Sequence, residues 1–291
     1  MQIVAENLSH VYSPKSKFAV SALKNVSLTI DEGEFFGIIG HTGSGKSTFI
    51  QHLNGLIKAD KGSKKLTVGE FDLLDKKCDF KKLRSKVGMV FQYPEYQLFA
   101  DTVAEDVAFG LKNFERLSEE ETAARVREAI ETVGLSYEEV KEKSPFDLSG
   151  GQKRRVAIAG VIVTKPEILV LDEPAAGLDP LGKQEIMQLL HKIHKEWCKT
   201  VIIVSHDMDE ISENCTRAAV FSDGKVVREA SPAELFLDYA TLSGLGLDIP
   251  FTAKVTELLE QKGVKLRCDF TSADFVRKTL EYAGLGGRED A

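Results

Sequence analysis

The sequence predicts an α/β fold with a parallel sheet at its core, on three observations. Phe35-Phe36-Gly37-Ile38-Ile39 is a continuous apolar run, as expected of a strand buried on both faces of such a sheet. It feeds directly into Gly40-His41-Thr42-Gly43-Ser44-Gly45-Lys46-Ser47, which fits the G-x-x-x-x-G-K-[ST] pattern of a phosphate-binding P-loop. Two further apolar runs, Glu167 to Asp172 and Val201 to Ser205, flank a helix around Gln184 to Trp197.

The elements follow in order. Ile3 to Leu8 and Val26 to Ile30 are short and β-branched, with a turn at Asp31-Glu32-Gly33, and predict an antiparallel β-subdomain. After the P-loop, Phe49, Ile50, Leu53 and Leu56 have helical spacing. Residues 97–163 read as a helical insertion. Within it Ser118-Glu119-Glu120-Glu121 makes a capping box, Val126, Ala129, Ile130 and Val133 repeat at one helix face, and Gly134 ends the helix. Phe221 to Val227 reads as a hairpin with an Asp-Gly turn. The core domain is expected over 1–230, closing near Ser231-Pro232. Beyond it, 231–291 forms a small helical extension. There a link at Ser243-Gly244-Leu245-Gly246 precedes two helices, one with Phe251, Val255, Leu258 and Leu259 on a face, the other with Phe275, Val276 and Leu280.

Composition narrows the function. Of 291 residues, 43% are hydrophobic and 29% charged, which suits an ordinary globular chain with a sizeable core. A net charge of -7 argues against nucleic acid as a partner, since that needs a basic footprint. Cys78, Cys198, Cys215 and Cys268 are scattered, so reduced thiols are expected rather than zinc or disulfides. The first residues lack the pattern of a signal peptide. No run approaches the roughly 18 apolar residues that cross a bilayer, so a transport role would need another chain for the membrane path.

Each motif has a chemical reason. The P-loop glycines let backbone N–H groups converge on one anion at a helix N-terminus. Lys46 adds a point charge for the β- and γ-phosphates, Ser47 offers a hydroxyl to Mg²⁺, and Thr48 reaches nearby phosphate oxygens. Asp172, where an apolar strand emerges, can hold Mg²⁺ through its water shell, and Glu173 is placed to polarise the attacking water. In Leu148-Ser149-Gly150-Gly151-Gln152, Ser149 caps a helix whose first N–H groups make a second anion site. His191 and His194 share a helix face without a third ligand, and Lys81, Lys82, Arg84 and Lys86 cluster. Both read as solvated faces.

The order P-loop, Gln92, Leu-Ser-Gly-Gly-Gln, Asp172-Glu173, Asp179, His206 resembles the nucleotide-binding subunit of an ABC transporter over about residues 1–230. The resemblance implies a RecA-like parallel core and a bound ATP with Mg²⁺, contacted by Gly40, His41, Thr42, Gly43, Ser44, Gly45, Lys46, Ser47 and Thr48. It implies a head-to-tail pair in which Ser149, Gly150, Gly151 and Gln152 complete the partner's site, with Ser149 and Gly151 donating to the γ-phosphate. Gln92 would sense Mg²⁺ and the membrane partner, making it a metal residue beside Ser47 and Asp172. Asp179 would lie in the loop crossing between subunits, His206 would touch the γ-phosphate, and Tyr12 would stack on adenine. Lys46, Glu173 and His206 are the implied catalytic residues.

A closer likeness is to energy-coupling factor (ECF) transporters, which import vitamins or transition-metal ions. It rests on His41 to Gly45, Phe91-Gln92-Tyr93-Pro94-Glu95-Tyr96-Gln97-Leu98-Phe99, Ser144 to Leu148 and Ala157 to Gly160. The chain is most similar to the second ATPase subunit, departing at Ala175, where many relatives carry threonine. The implied partners are a second ECF ATPase subunit, different or identical, a transmembrane scaffold, and indirectly a substrate-capture protein. The implied location is the cytoplasmic face of the membrane. Some of Phe91, Tyr93, Tyr96, Leu98 and Phe99 would line a groove for a coupling helix. The extension would join the two ATPases or, alternatively, cap its own sheet. A soluble ABC ATPase of DNA repair or the ribosome, a nucleotide sensor, and a subunit of another ABC importer stay open.

Overall fold

In the computed structural model, which describes residues 1–285, the chain begins with two long paired strands. β1 (Ile3–Tyr12) pairs antiparallel with β2 (Val20–Ile30), then β3 (Phe35–Gly40) crosses the centre of the molecule and ends at the P-loop. α1 (Lys46–Leu53) follows, and β4 (Lys65–Val68) with β5 (Phe71–Asp72) completes a four-stranded antiparallel sheet ordered β2-β1-β4-β5. α2 (Phe80–Lys86), capped by the Asp79 carboxylate, leads into β6 (Val87–Val90).

The helical insertion comes next. A 3₁₀ turn at Pro94–Gln97 precedes α3 (Val103–Phe114), α4 (Glu119–Thr132) and the single turn α5 (Tyr137–Val140). The capping box at Ser118 and Glu121 forms as expected, and Gly134 takes a left-handed φ of 77° just past α4. A second 3₁₀ turn, Pro145–Asp147, opens onto α6 (Gly150–Ile162). The chain then returns to the sheet through β7 (Ile168–Asp172), α7 (Pro180–Glu196), β8 (Thr200–Val204) and α8 (Met208–Asn214). The hairpin of β9 (Arg217–Ser222) and β10 (Lys225–Ala230) turns at Asp223-Gly224, both with positive φ, as a two-residue hairpin turn requires. α9 (Pro232–Phe236), α10 (Tyr239–Gly244), α11 (Phe251–Gln261) and α12 (Ser272–Tyr282) form the extension, whose last six residues, 286–291, lie outside the described part.

The central sheet is ordered β10-β9-β3-β8-β7-β6, parallel from β9 to β6, with β10 antiparallel at one edge. Its parallel strands are buried on both faces, and period-two alternation divides their side chains between two cores. Phe35, Ile39, Leu169, Leu171, Val201 and Ile203 face the helical insertion, α7 and the extension. Phe36, Ile38, Ile168, Val170, Ile202 and Val204 face α1 and the antiparallel sheet. Each fully buried side chain of this size contributes about 1.5–3 kcal/mol of hydrophobic stabilisation. The parallel strands end together, and Gly40, Val90, Asp172 and Val204 thus stand along one margin.

Two local expectations change. Ser243 and Gly244 belong to α10 rather than a link, because Asp238 caps that helix and buried Leu242 fastens it to the core. His191 and His194 are not simply solvated: both rings pack on Phe35, at 4.7 and 5.8 Å between centroids, and His191 also bonds Asn214 at 2.8 Å. The basic cluster lies on a solvated face as expected, with Lys82 paired to Glu70, Lys86 to Glu167, and Arg84 donating to the carbonyls of Asn54 and Gly55.

Candidate active site

The P-loop wraps the N-terminus of α1. Gly45 is the N-cap residue with φ of 104°, and a Cβ there would stand 2.5 Å from the Ala22 carbonyl oxygen, so glycine is required twice over. The hairpin turn buttresses the loop from outside: Gly224 N–H donates to the Ser44 carbonyl at 3.0 Å. Lys46 Nζ lies across the loop, donating to the Gly40 and His41 carbonyls at 2.7 and 3.0 Å. Burial pushes its ammonium below the ordinary lysine range, while Glu173 and Asp172 pull it back up. Ser44 Oγ is fully buried and has no partner among the described residues. A buried orphan hydroxyl within a ring of N–H groups fits a phosphate that supplies acceptor oxygens. Tyr12 is the last residue of the ten-residue β1, and its hydroxyl sits 3.2 Å from Thr48 Oγ1, at the rim of the same loop.

Across the margin stand the two carboxylates. Asp172 is buried at the end of β7 and hydrogen-bonds Ser47. Burial raises its carboxyl above the usual range, with Glu173 adding to the effect, and the Ser47 bond and Lys46 oppose it. Ser47 and Asp172 therefore present two oxygen ligands side by side, the donor type that Mg²⁺ takes. Glu173 has φ of 51°, in the left-handed region that costs a non-glycine residue about 1–3 kcal/mol, and its N–H is held by the Val204 carbonyl at 2.9 Å. Its carboxylate accepts from Gln92 Nε2 at 3.0 Å and meets His206 Nδ1 at 3.1 Å. Residues from the ends of β6, β7 and β8 thus converge on one carboxylate.

The remaining sequence candidates form a second group. Ser149 caps α6, accepting from Gln152 N–H at 3.3 Å, while Gln152 Oε1 accepts from Ser149 N–H at 3.1 Å. A Cβ on Gly150 or Gly151 would meet nothing within 4 Å, so this turn is open on its outer side. Asp179 caps α7 and accepts from Gly182 N–H at 2.7 Å. Ser149, Gly151 and Gln152 line one open depression with Gly177 and Asp179, and no hydrogen bond among the described residues ties that depression to Glu173 or the P-loop.

Of the aromatic run, Tyr93, Tyr96 and Phe99 are exposed, Tyr96 by 85%, whereas Leu98 is buried and Phe91 half-buried. Phe109 on α3 joins them, edge-on to Phe99 at 4.8 Å. Phe109 escaped the sequence reading because it lies outside the run and off the buried face of α3. A second omission is Arg154, buried on α6, which donates to the Pro174 and Ala176 carbonyls at 3.3 and 2.6 Å and lies 3.7 Å from Glu95. It links the turn after Gln92 to the loop after Glu173. Its place among three basic residues gave no hint of burial.

A family model described as ABC transporter matches residues 23–176. The energy-coupling factor transporter ATP-binding protein EcfA2 of Clostridium perfringens is 48% identical over 266 residues, covering 91% of this chain and 92% of the relative. The chain belongs to the ABC transporter family, as an energy-coupling factor ATPase. The EcfA2 protein of Symbiobacterium thermophilum agrees, at 47% identity over 291 residues and 99% of its length. Among solved structures, cbiO1 of Clostridium perfringens, described as part of the ABC transporter complex cbiONQ, has a TM-score of 0.72. It is 38% identical and covers 88% of this chain and 98% of its own. The cassette MJ0796, in a dimeric post-hydrolysis state bound to ADP and Pi, has a TM-score of 0.70 at 34% identity, covering 79% of this chain and 98% of its own. The expected fold class therefore holds, as does ATP hydrolysis by an ABC-type transporter subunit. Among the described residues of this energy-coupling factor ATPase, no helix is long and apolar enough to cross a membrane.

Proposed function

We propose that this ATPase works on the cytoplasmic face of the membrane and drives uptake of a vitamin or transition-metal ion by an ECF importer. Residues 1–230 would be the nucleotide-binding domain and 231–291 the part that joins it to a second ATPase subunit, a different chain or a copy. The observation carrying the site assignment is Glu173, held between Gln92 and His206 in a strained backbone conformation. Residues Gly40 to Thr48 cradle the triphosphate, with Lys46 on the β- and γ-phosphates and Tyr12 under the adenine. Mg²⁺ would be held by Ser47, Asp172 and Gln92, and when bound it neutralises phosphate charge.

The chemistry of this chain's own residues follows from that placement. A water oxygen attacks the γ-phosphorus, the bond from that phosphorus to the bridging oxygen breaks, and Glu173 accepts the water's proton. His206, beside Glu173, contacts the γ-phosphate. Ser149 and Gly151, exposed on the second depression, face outward where a partner's nucleotide would lie, so ATP closes the pair and hydrolysis reopens it. The exposed rings Tyr93, Tyr96, Phe99 and Phe109 supply the apolar surface on which a coupling helix of a transmembrane scaffold docks, and a substrate-capture protein sits beyond that scaffold. Glu173→Gln in the assembled transporter should lower turnover about 10²–10⁴-fold while nucleotide binding persists. Undiminished phosphate release would remove Glu173 from this role. Co-purification from native membranes, with identification of the bound chains, tests the partners.

A further inference from the structure

The extension is fastened to α8, the short helix that begins at Met208, directly after the His206-Asp207 pair. Asp209 and Glu213 lie four residues apart on one face of α8. Asp209 Oδ1 accepts from Phe251 N–H at 2.7 Å, the first amide of α11. Glu213 Oε1 accepts from Ser272 N–H at 2.6 Å, the first amide of α12. α11 starts after Pro250, which has no side-chain acceptor, so its capping oxygen comes from α8 instead. Between the two carboxylates, Ser212 Oγ donates to the Phe270 carbonyl at 2.9 Å, and Thr252 Oγ1 donates to the same oxygen at 2.6 Å.

The other end of α8 is equally tied to the site. Asp207 caps it, accepting from Asp209 and Glu210 amides, and its second oxygen takes Lys183 Nζ at 2.7 Å. Ser205 Oγ donates to Glu210 and accepts from Asp207 N–H at 3.1 Å, which closes the loop on either side of His206. His206 itself meets Glu173. A continuous set of bonds therefore runs from the first turns of α11 and α12 to the carboxylate at the centre of the site.

We propose that Asp209 and Glu213 are positioning residues, which fix α8 to the extension and thereby set where His206 stands. The extension then tunes the rate of hydrolysis as well as joining subunits. This rests on the reading of His206 as a γ-phosphate contact. A misplacement of about 1 Å at such a contact can cost up to about 10²-fold.

The test is steady-state ATPase kinetics and amide hydrogen exchange on the assembled transporter. Asp209→Ala/Glu213→Ala should lower kcat by about tenfold or more. It should leave KM for ATP within about twofold and the complex intact. Exchange across 205–214 should quicken. Asp209→Asn/Glu213→Gln, which keeps an acceptor oxygen at each position, should recover most of kcat. If the double alanine variant does not fold, Asp209→Ala alone is read the same way. An unchanged kcat in an intact complex overturns the proposal, as does a loss that higher subunit concentration restores, or a loss that the amide variant fails to rescue. His206→Ala runs alongside: if it leaves kcat intact, the role given to His206 has failed, and unaltered exchange across 205–214 would then overturn the anchoring as well.

Discussion

Glu210 lies under the loop that carries His206, with one carboxylate oxygen on Ser205 and the other without a partner among the described residues. Burial raises its carboxyl above the ordinary value of 4.5, and Asp207 adds to this, while the Ser205 bond, Lys183 and His206 oppose it. A raised folded-state pKa means that the folded protein holds this proton more tightly than the unfolded chain. Its contribution is therefore present at low pH and is lost as pH rises through the folded value. Glu210→Gln has no proton to lose. The melting temperature of the variant relative to the parent should climb as pH rises above the ordinary carboxylate value of 4.5. A difference that stays flat or shrinks would show that Glu210 titrates as an exposed carboxylate.

At the scale of elements, α6 is held in place through Arg154. Its bonds to the Pro174 and Ala176 carbonyls, at 3.3 and 2.6 Å, are made by a buried guanidinium, whereas the 3.7 Å separation from partly exposed Glu95 is a loose ion pair. Arg154→Met should cost roughly 3 kcal/mol, because it strands buried groups. Glu95→Gln should cost less than about 1 kcal/mol. Urea denaturation of both variants decides it, and equal costs would shift the weight to the ion pair. This element also shows what a sequence discloses. The strand runs at Phe35, Ile168 and Val201 were legible because burial on both faces leaves an uninterrupted apolar signature. The P-loop was legible because its glycines have a fixed spacing. Arg154, Phe109 and the carboxylates of α8 act on segments brought close only by the fold, and such pairings leave no periodic trace.

On the whole-molecule scale the extension reverses the usual rule for an amphipathic helix. In α11 the buried residues are Thr252, Ala253 and Thr256, while Phe251 and Leu258 stand 66% and 57% exposed. α12 likewise exposes Val276, Leu280 and Tyr282. Periodicity located both helices, yet it could not say which face meets the core, since the polar side packs inward through the Phe270 carbonyl. Exposed apolar faces of this kind favour the proposed contact with a second ATPase over a self-covering cap. Leu258→Asp with Val276→Asp should leave monomer stability within about 0.5 kcal/mol and weaken association of the ATPase pair. Analytical ultracentrifugation and thermal melts measure both, and a lower melting temperature with unaltered association would place these faces inside the fold. The sheet has a consequence of its own. Ile38 pairs with Val204, and Val204 with Asp172, so the strand that feeds the P-loop and the strand that ends before Glu173 are joined through a shared neighbour. They cannot slide past one another during a catalytic cycle. In the proposed cycle, movement would pass through the turn after Gln92 and through α8 at the strand tips, while the sheet beneath keeps its register.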